Sequence, residues 1–376
     1  CGSLAGLSAP ELGSIAIRGA LERIPDVTIR EVYLGNVVSA GIGQAPARQA
    51  VLGAGLPEST VCTTINKVCA SGMKSVMLSC QSLQGIGNKQ QALLAGGMES
   101  MSNIPHYLLQ SRSGKPLGHA KLIDGVIHDG LWDVYNDQHM GMCGEKCAVD
   151  YNISREDQDT FAAESYRRAQ EAVASSIFED IVPASIPQKR GDPVVVSSDE
   201  EPHSLQIEKL PKLRPAFDPE NGTVTAANAS SLNDGAAAIV LMTEDMAKDH
   251  GIEPLARIVG FGDAECDPVD FTTAPSLAVP VALENAGMQI SDVDYHEINE
   301  AFSVVALANM QLLGLDHSKV NIFGGAVALG HPIGMSGTRI ISTLYLALKE
   351  KDATVGCASI CNGGGGASAI VIERLE

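Results

Sequence analysis

AIRGALERIPDVTIREVYLGNVV at residues 16–38 and PVALENAGMQISDVDYHEINEAF at residues 280–302 share one layout, a helical stretch that runs into an extended one. Asn36 in the first answers Asn299 in the second. Downstream, ASGMKSVMLSCQSL (70–83) and MSGTRIISTLYLAL (335–348) share a Ser-Gly pair, a basic residue two positions on, and apolar residues at helical spacing. TVGCASICNGG (354–364) then falls where QALLAGGMES (91–100) falls in the first copy. Agreement in order and spacing over several elements indicates a duplicated α/β unit.

The elements around this repeat follow from local rules. Ser8 and Glu11, with Pro10 between them, form a capping box that opens a helix through residue 22. REVYLGNVV and VCTTINKV read as strands, and Met73, Val76, Met77, Cys80 and Leu83 mark a helix that places Cys69 at a strand-to-helix junction. QALLAGG reads as a short buried strand. Residues 99–222 differ in texture: they hold most of the histidines, the only tryptophan (Trp132), the acidic run SSDEEPH and the basic strip KLPKLRPAF. One helix from Ser154 to Ser175 is expected there, and the segment reads as an inserted lid or binding subdomain. GAAAIVLM (235–242) then reads as a fully buried strand returning to the first sheet. The expected divisions are 1–98 for the first half, 99–222 for the insertion, 223–248 for its return, and 249–376 for the second half.

The chain carries 26 basic and 45 acidic residues, a formal charge of −19, which argues against a general nucleic-acid or anionic-membrane surface. An anionic substrate would need a local basic patch. Nine cysteines without the dense, regular spacing of a disulfide framework point to a reducing compartment. No apolar run reaches the length of a membrane span, and neither a signal peptide nor an arginine-rich transit segment is visible. The chain begins with Cys1 and not methionine, so its true start, and any targeting information, is expected upstream.

Three polarisable groups stand at glycine-flanked junctions: Cys69 in NKVCASGMKSV, His331 in GGAVALGHPIGMSG and Cys361 in ICNGGGGASA. A cysteine at a helix N-terminus meets orphan N–H groups and the positive end of the dipole, which lower its pKa. Alone, such a cysteine is more often a small packed hydrophobe. His331, beside a proline and between glycines, suits a general base or oxyanion donor, although an isolated loop histidine is as often structural. His119, His128, His203, His250 and His317 lie in polar loops and take that bland reading. The four glycines after Cys361 are not a dinucleotide fingerprint, because too few residues follow for the helix, strand and acidic partner it needs. The cysteine pairs 143/147 and 357/361 lack CxxC spacing, which argues against a zinc site. Asn299 in HEINEAF could position an oxyanion, and a helix cap is the ordinary alternative. Two cysteines and a histidine together suggest thioester chemistry.

NKVCASGMKSV, GGMESMSN, GTVTAANASSLNDGAA, HEINEAF, GGAVALGHPIGMSG and CNGGGGASA, in that order, closely resemble the thiolases, specifically the acetoacetyl-CoA thiolase branch, over residues 1–376. The resemblance implies an α/β thiolase fold: two duplicated βαβαβαββ halves in a five-layered αβαβα arrangement with an inserted loop domain. It implies that Cys69 carries the acetyl group, that Cys361 moves the proton at the attacking carbon, and that His331 activates Cys69. His331 with a water on Asn299 would form one oxyanion hole, and the N–H groups of Cys69 and Gly363 the other. Acetyl-CoA, acetoacetyl-CoA and coenzyme A are the implied partners, with no covalent cofactor. Coenzyme A contacts are implied for Tyr166, Lys209, Ser230, Ser204, Leu205 and Gln206, and a pantetheine path lined by His139, Met140 and Phe302. The strip holding Lys209, Lys212 and Arg214 supplies the local positive field. The mitochondrial branch binds potassium, and its ligands match Tyr166, Ala226, Ala227, Ala229 and Val327, mostly carbonyl oxygens.

The family's opening strand precedes the equivalent of Gly2 and is absent from this sequence, so an exposed edge is expected in the first sheet. Phe323 stands where a polar residue is usual, and Cys143 and Cys147 replace less reactive types. The resemblance further implies a homo-oligomer, a tetramer with a dimer as the alternative, and the mitochondrial matrix with the cytosol as the alternative. Two other functions remain open at this point: a 3-ketoacyl-CoA thiolase of broader chain length, and a non-catalytic acyl or lipid carrier with a thiolase shell.

Overall fold

The computed structural model describes residues 2–24, 27–85, 91–114 and 117–375. The helices are α1 (Ala9–Glu22), α2 (Pro46–Gly53), α3 (Ser71–Gln84), α4 (Met140–Asp150), α5 (Arg155–Ala174), α6 (Glu244–Asp249), α7 (Pro275–Ala286), α8 (Ser303–Leu313), α9 (Ala326–Leu329) and α10 (Ser336–Glu350). Two four-stranded sheets are built from β1 (Ile29–Gly35), β2 (Val61–Ile65), β3 (Ala92–Ser100), β4 (Asp234–Leu241), β5 (Ala256–Glu265), β6 (Tyr295–Ile298), β7 (Val355–Asn362) and β8 (Gly366–Arg374).

The first sheet runs β4-β3-β1-β2, with β1 parallel to β2 and β3, and β4 antiparallel to β3. The second runs β5-β8-β7-β6, with β6 parallel to β7, and β8 antiparallel to β7 and β5. β6, β7 and β8 therefore repeat β1, β3 and β4, and α10 repeats α3. α1 and α2 cover one face of the first sheet, where Ile17 and Val51 pack among Val32, Leu34, Leu94 and Met98. α7 covers the outer face of the second through Ala278, Val279 and Ala282. Between the sheets lie α3 and α10, whose Met73, Val76, Met77, Ile340, Leu344 and Leu348 share a core with Ile360, Ile370 and Ile372. These are the five layers αβαβα. Each large apolar side chain fully buried there contributes about 1.5–3 kcal/mol.

α3 and α10 touch closest at their first turns, at the Ser-Gly pair that each repeat carries. A Cβ at Gly337 would lie 2.4 Å from Met73 N, and one at Gly72 would lie 2.8 Å from Thr338 Oγ1. Thr338 Oγ1 donates to the Gly72 carbonyl at 3.0 Å across the crossing. Glycine is required at both positions because the backbones themselves are in contact.

The insertion holds three short hairpins, α4 and α5. α5 begins at the Ser154 cap, with Asp157 completing its capping box. α4 was not expected from the sequence: its cap is His139, whose Nδ1 accepts from Gly141 N, and two glycines weaken its helical signal. β4 returns to the first sheet as expected, but it is half-buried along most of its length and not fully buried. It is an edge strand, as β2 is at the other end, and no described strand lies beyond it, where β5 flanks β8 in the second sheet. A groove of about 980 Å³ runs along that edge, lined by α1, α10 and β5. Among the described residues no helix is long and apolar enough to cross a membrane.

Gly337→Ala forces backbone apart at the centre of the molecule, and overpacking of this kind costs about 1–3 kcal/mol. The variant is expected to unfold at lower denaturant concentration than the parent with an unchanged denaturant slope, measured by urea titration; an unchanged midpoint would show that the crossing has slack.

Candidate active site

The chain between β2 and α3 is held in one conformation by its own side chains. Ser71 Oγ donates to the Val68 carbonyl at 2.6 Å and accepts from Lys67 N at 2.8 Å, and Asn66 Oδ1 accepts from Val68 N at 3.0 Å. Val68 sits at φ +47°, a left-handed conformation that a β-branched residue adopts only under constraint. Lys67 Nζ reaches across to Asp263 at 2.6 Å and Ser368 at 3.1 Å, which ties this turn to the second sheet. Cys69 follows, two residues before α3, and is buried.

Cys361 is the penultimate residue of β7 and is completely buried. Beyond it the chain turns through Gly363, where a Cβ would lie 3.6 Å from Val68, the residue before Cys69, and the backbone N–H groups of Gly363 and Cys69 pull the Cys69 thiol pKa down. The two predicted oxyanion donors thus both act on the Cys69 thiol. Cys361 lies close enough to Cys69 that each thiolate would oppose the other.

His331 heads the turn into α10 and is anchored on three sides. Its N–H donates to Asn233 Oδ1 at 2.8 Å, its Nδ1 lies 2.6 Å from Ser336 Oγ, and its Nε2 lies 3.5 Å from Asn299 Nδ2. Ser336 Oγ is also 2.9 Å from the Pro332 carbonyl, which can only accept. The hydroxyl proton therefore goes to Pro332, and Ser336 accepts from His331 Nδ1–H. Nε2 is left unprotonated, its lone pair facing only the distant Asn299 Nδ2–H at 3.5 Å, the state a general base needs. Asn299 is set by its own N–H, which donates to the Ser359 carbonyl of β7 at 3.0 Å.

Burial governs the protonation of all three groups. It pushes the Cys69 thiol up to about 11, against the pull of the two N–H groups, and pushes Cys361 well above the usual thiol range. It holds His331 down at about 3. The expectation that the start of α3 lowers the Cys69 pKa is therefore not met, because desolvation outweighs the helix terminus. The resting site is a neutral thiol, a neutral thiol and a neutral imidazole.

Other predicted residues divide into two groups. Met140 packs with Phe302 and Cys361, and its thioether lies over Gly363. His139 stacks on Phe217 at 4.6 Å, and Phe217 meets Phe302 edge-on at 6.2 Å. Ser230 Oγ donates to the Ala301 carbonyl at 3.0 Å, and Ala229 bridges to Phe302. The second group lies apart from the thiols: Tyr166, Leu205 and Val327 pack together, and the Tyr166 hydroxyl is 3.2 Å from a Glu201 oxygen and 3.5 Å from Ser204 Oγ. Ala227 is buried and Ala226 exposed on the same loop as Ala229. Ser204, Gln206 and Lys209 are exposed on short 3₁₀ turns, and no described contact brings them to Cys69. Sequence reasoning missed Ser336, Asn233 and Phe217. Ser336 was visible only as part of the repeated Ser-Gly pair, and Phe217 ends a strip that was read for its charges.

The family model described as "Thiolase, N-terminal domain" matches residues 1–245, and "Thiolase, C-terminal domain" matches residues 252–374. A Schizosaccharomyces pombe protein named acetyl-CoA acetyltransferase is 56% identical over 100% of this chain and 95% of its own length. A Bos taurus protein named acetyl-CoA acetyltransferase, mitochondrial, is 55% identical over 100% of this chain and 88% of its own. A Gibberella zeae protein named acetyl-CoA acetyltransferase ERG10, cytosolic, is 51% identical over 100% and 95%. The crystal structure of Acat5 thiolase from Ascaris suum in complex with coenzyme A superposes with a TM-score of 0.93 at 44% identity, covering 100% of this chain and 96% of that one.

Ser336→Ala removes the acceptor that fixes the His331 tautomer. A buried donor left unpaired costs about 1–3 kcal/mol, or roughly ten- to a hundredfold in rate. Alkylation of Cys69 by iodoacetamide at neutral pH is expected to slow by that factor, and an unchanged rate would mean that His331 does not activate the thiol.

Proposed function

This chain belongs to the thiolase family, and from that premise we propose that it is an acetyl-CoA C-acetyltransferase. It condenses two acetyl-CoA to acetoacetyl-CoA and coenzyme A, and in reverse cleaves acetoacetyl-CoA with coenzyme A. The observation that carries the reading is that the Gly363 turn packs against Val68, the neighbour of Cys69, and that the N–H groups of Gly363 and Cys69 both favour the Cys69 thiolate. An acyl group joined to that sulfur would place its carbonyl oxygen beside both donors, where the charge of a tetrahedral intermediate develops.

The neutral resting site sets the order of proton movements. In the first half-reaction Cys69 sulfur attacks the thioester carbonyl while its proton passes to His331 Nε2. The carbon–sulfur bond to coenzyme A breaks, and the leaving thiolate takes the proton of Cys361. The site then holds acetyl-Cys69, an imidazolium and a Cys361 thiolate. That thiolate is a strong base because burial disfavours its charge. In the second half-reaction it removes a proton from the methyl carbon of the second acetyl-CoA. The resulting enolate oxygen is held by His331 Nε2–H and by a water on Asn299, and the carbon attacks acetyl-Cys69. Cys69 leaves and recovers its proton from His331, so every group returns to its starting state.

Coenzyme A is anionic and the protein is strongly acidic, so the exposed Lys209, Lys212 and Arg214 supply the local field that draws it in. Met140, His139, Phe217 and Phe302 flank the path to Cys69, with Ser230, Tyr166 and residues Ser204 to Gln206 on the coenzyme's outer course. Potassium fits the oxygen-only set of the Tyr166 hydroxyl and the Ala226, Ala227, Ala229 and Val327 carbonyls, which suits a hard cation. Burial raises the Tyr166 phenol to about 12, so it would bind as a neutral oxygen. A cation held there would supply rigidity to the loop that carries Ala229 and Ser230. The relatives include mitochondrial and cytosolic proteins; we assign this one to the mitochondrial matrix, on TVTAANASSLND and GHPIGMSG, and its assembly to a homotetramer of two dimers. Its divisions follow those of the sequence, with residues 99–222 as the coenzyme-binding insertion.

Incubation with acetyl-CoA followed by peptide mass spectrometry is expected to find one acetyl group on Cys69, none in Cys69→Ala, and one again in Cys361→Ser, which no longer forms acetoacetyl-CoA. An unmodified Cys69 in the parent protein would leave an acyl-carrier role as the better reading.

A further inference from the structure

The repeat that builds the fold also builds a second, altered copy of the site. Strand register defines the correspondence. Cys361 pairs with Ala367, the second residue of β8, and Glu99 pairs with Gly235, the second residue of β4. Cys69 stands two residues before the Ser-Gly pair of α3, and Gly334 stands two before that of α10. Asn299 immediately follows β6, as Asn36 immediately follows β1. Cys69, Cys361 and Asn299 thus correspond to Gly334, Glu99 and Asn36.

In the altered copy Glu99 hydrogen-bonds directly to both of the others. Glu99 is fully buried. Its Oε1 accepts from Asn36 Nδ2 at 2.9 Å and Val38 N at 3.2 Å, and its Oε2 accepts from Val37 N at 2.9 Å and Gly334 N at 3.0 Å. Gly334 lies between His331 and Ser336, the residue that sets the imidazole tautomer. The turn fits because its neighbours lack side chains: a Cβ at Gly97 would come within 2.0 Å of the Gly334 carbonyl oxygen, and one at Gly334 within 2.6 Å of Glu99 Oε2. One carboxylate therefore fastens the His331 turn of the second half to the ends of β1 and β3 in the first.

We propose that Glu99 is a positioning residue for acetyl transfer, acting through Gly334 on His331. The inference rests on the acetyltransferase reading above. Four N–H donors meet this carboxylate and no cation pairs with it among the described residues. Burial raises it to about 7, against the N–H groups of Val37, Val38 and Gly334. Around it, Cys69 just before α3 feels its charge, His331 lies three residues before its contact at Gly334, and Asp234 on β4 is turned to Ser100 and Ser102. Protonation would replace an acceptor by a donor among N–H groups and release part of the turn. Glu99→Gln makes the same change permanently.

The test is steady-state thiolysis of acetoacetyl-CoA by Glu99→Gln, with rates divided by the amount of Cys69 that acetyl-CoA can acetylate. Per acetylatable site, kcat is expected to fall roughly ten- to a hundredfold with KM changed less than about twofold. Parental kcat is expected to rise from about pH 6 to pH 8, and the variant's profile to be flatter over the same range. If only the fraction of acetylatable protein falls, and kcat and its pH profile per site match the parent, Glu99 is structural and the proposal is overturned. Should Glu99→Gln fail to fold, Glu99→Asp keeps the charge and withdraws the reach: reduced kcat at parental KM supports the proposal, and parental kcat per site overturns it. A parent in which Cys69 takes no acetyl group would instead overturn the acetyltransferase reading, before Glu99 is at issue.

Discussion

The backbone contact between the first turns of α3 and α10 is the constraint on which the rest of the molecule depends. Each helix brings a Ser-Gly pair to the crossing, and each glycine admits the other helix's backbone. The residues just ahead of those pairs are consequently placed at the centre, between two sheets, where neither half alone could hold them. Cys69 arrives from the first half, and His331, Asn299 and Cys361 from the second. The catalytic geometry is a product of how the duplicated halves pack. It would be lost by any change that separated α3 from α10, even one remote from the thiols.

That central position has an electrostatic consequence. All three groups are buried, so charge is costly on each of them, and burial drives both thiols up and the imidazole down. A preformed thiolate–imidazolium pair is therefore not the resting state. Protons move only as the substrate's own bonds change, and each charge that forms meets fixed donors: two backbone N–H groups on one side, His331 and Asn299 on the other. The hydroxyl of Ser336, bound to the Pro332 carbonyl, decides which imidazole nitrogen is free. Glu99 and Ser336 support the same turn from opposite sides, one through its backbone and one through its ring.

Much of this was legible in the sequence because duplication writes the same pattern twice. Asn36 and Asn299, the two Ser-Gly pairs and the glycines after Cys361 gave the halves and the positions of Cys69 and Cys361. What escaped was decided by tertiary contact. Burial reversed the expected pKa of Cys69, and local sequence carries no measure of desolvation. α4 escaped because a histidine caps it and glycines thin its apolar face. β4 reads as a fully buried strand by composition, yet it lies at a sheet edge, which only strand order reveals. Ser336 and Glu99 looked like ordinary members of a repeat until their partners, remote in sequence, were in place.

The site rests with neutral groups and a single imidazole tautomer. Nitrogen-15 NMR of the histidine side chains in the intact protein, with His331 assigned through His331→Gln, reads both directly. The account predicts a neutral ring protonated at Nδ1 from about pH 5 to pH 9, well above the depressed pKa of about 3. An imidazolium at neutral pH, or a ring protonated at Nε2, would contradict it.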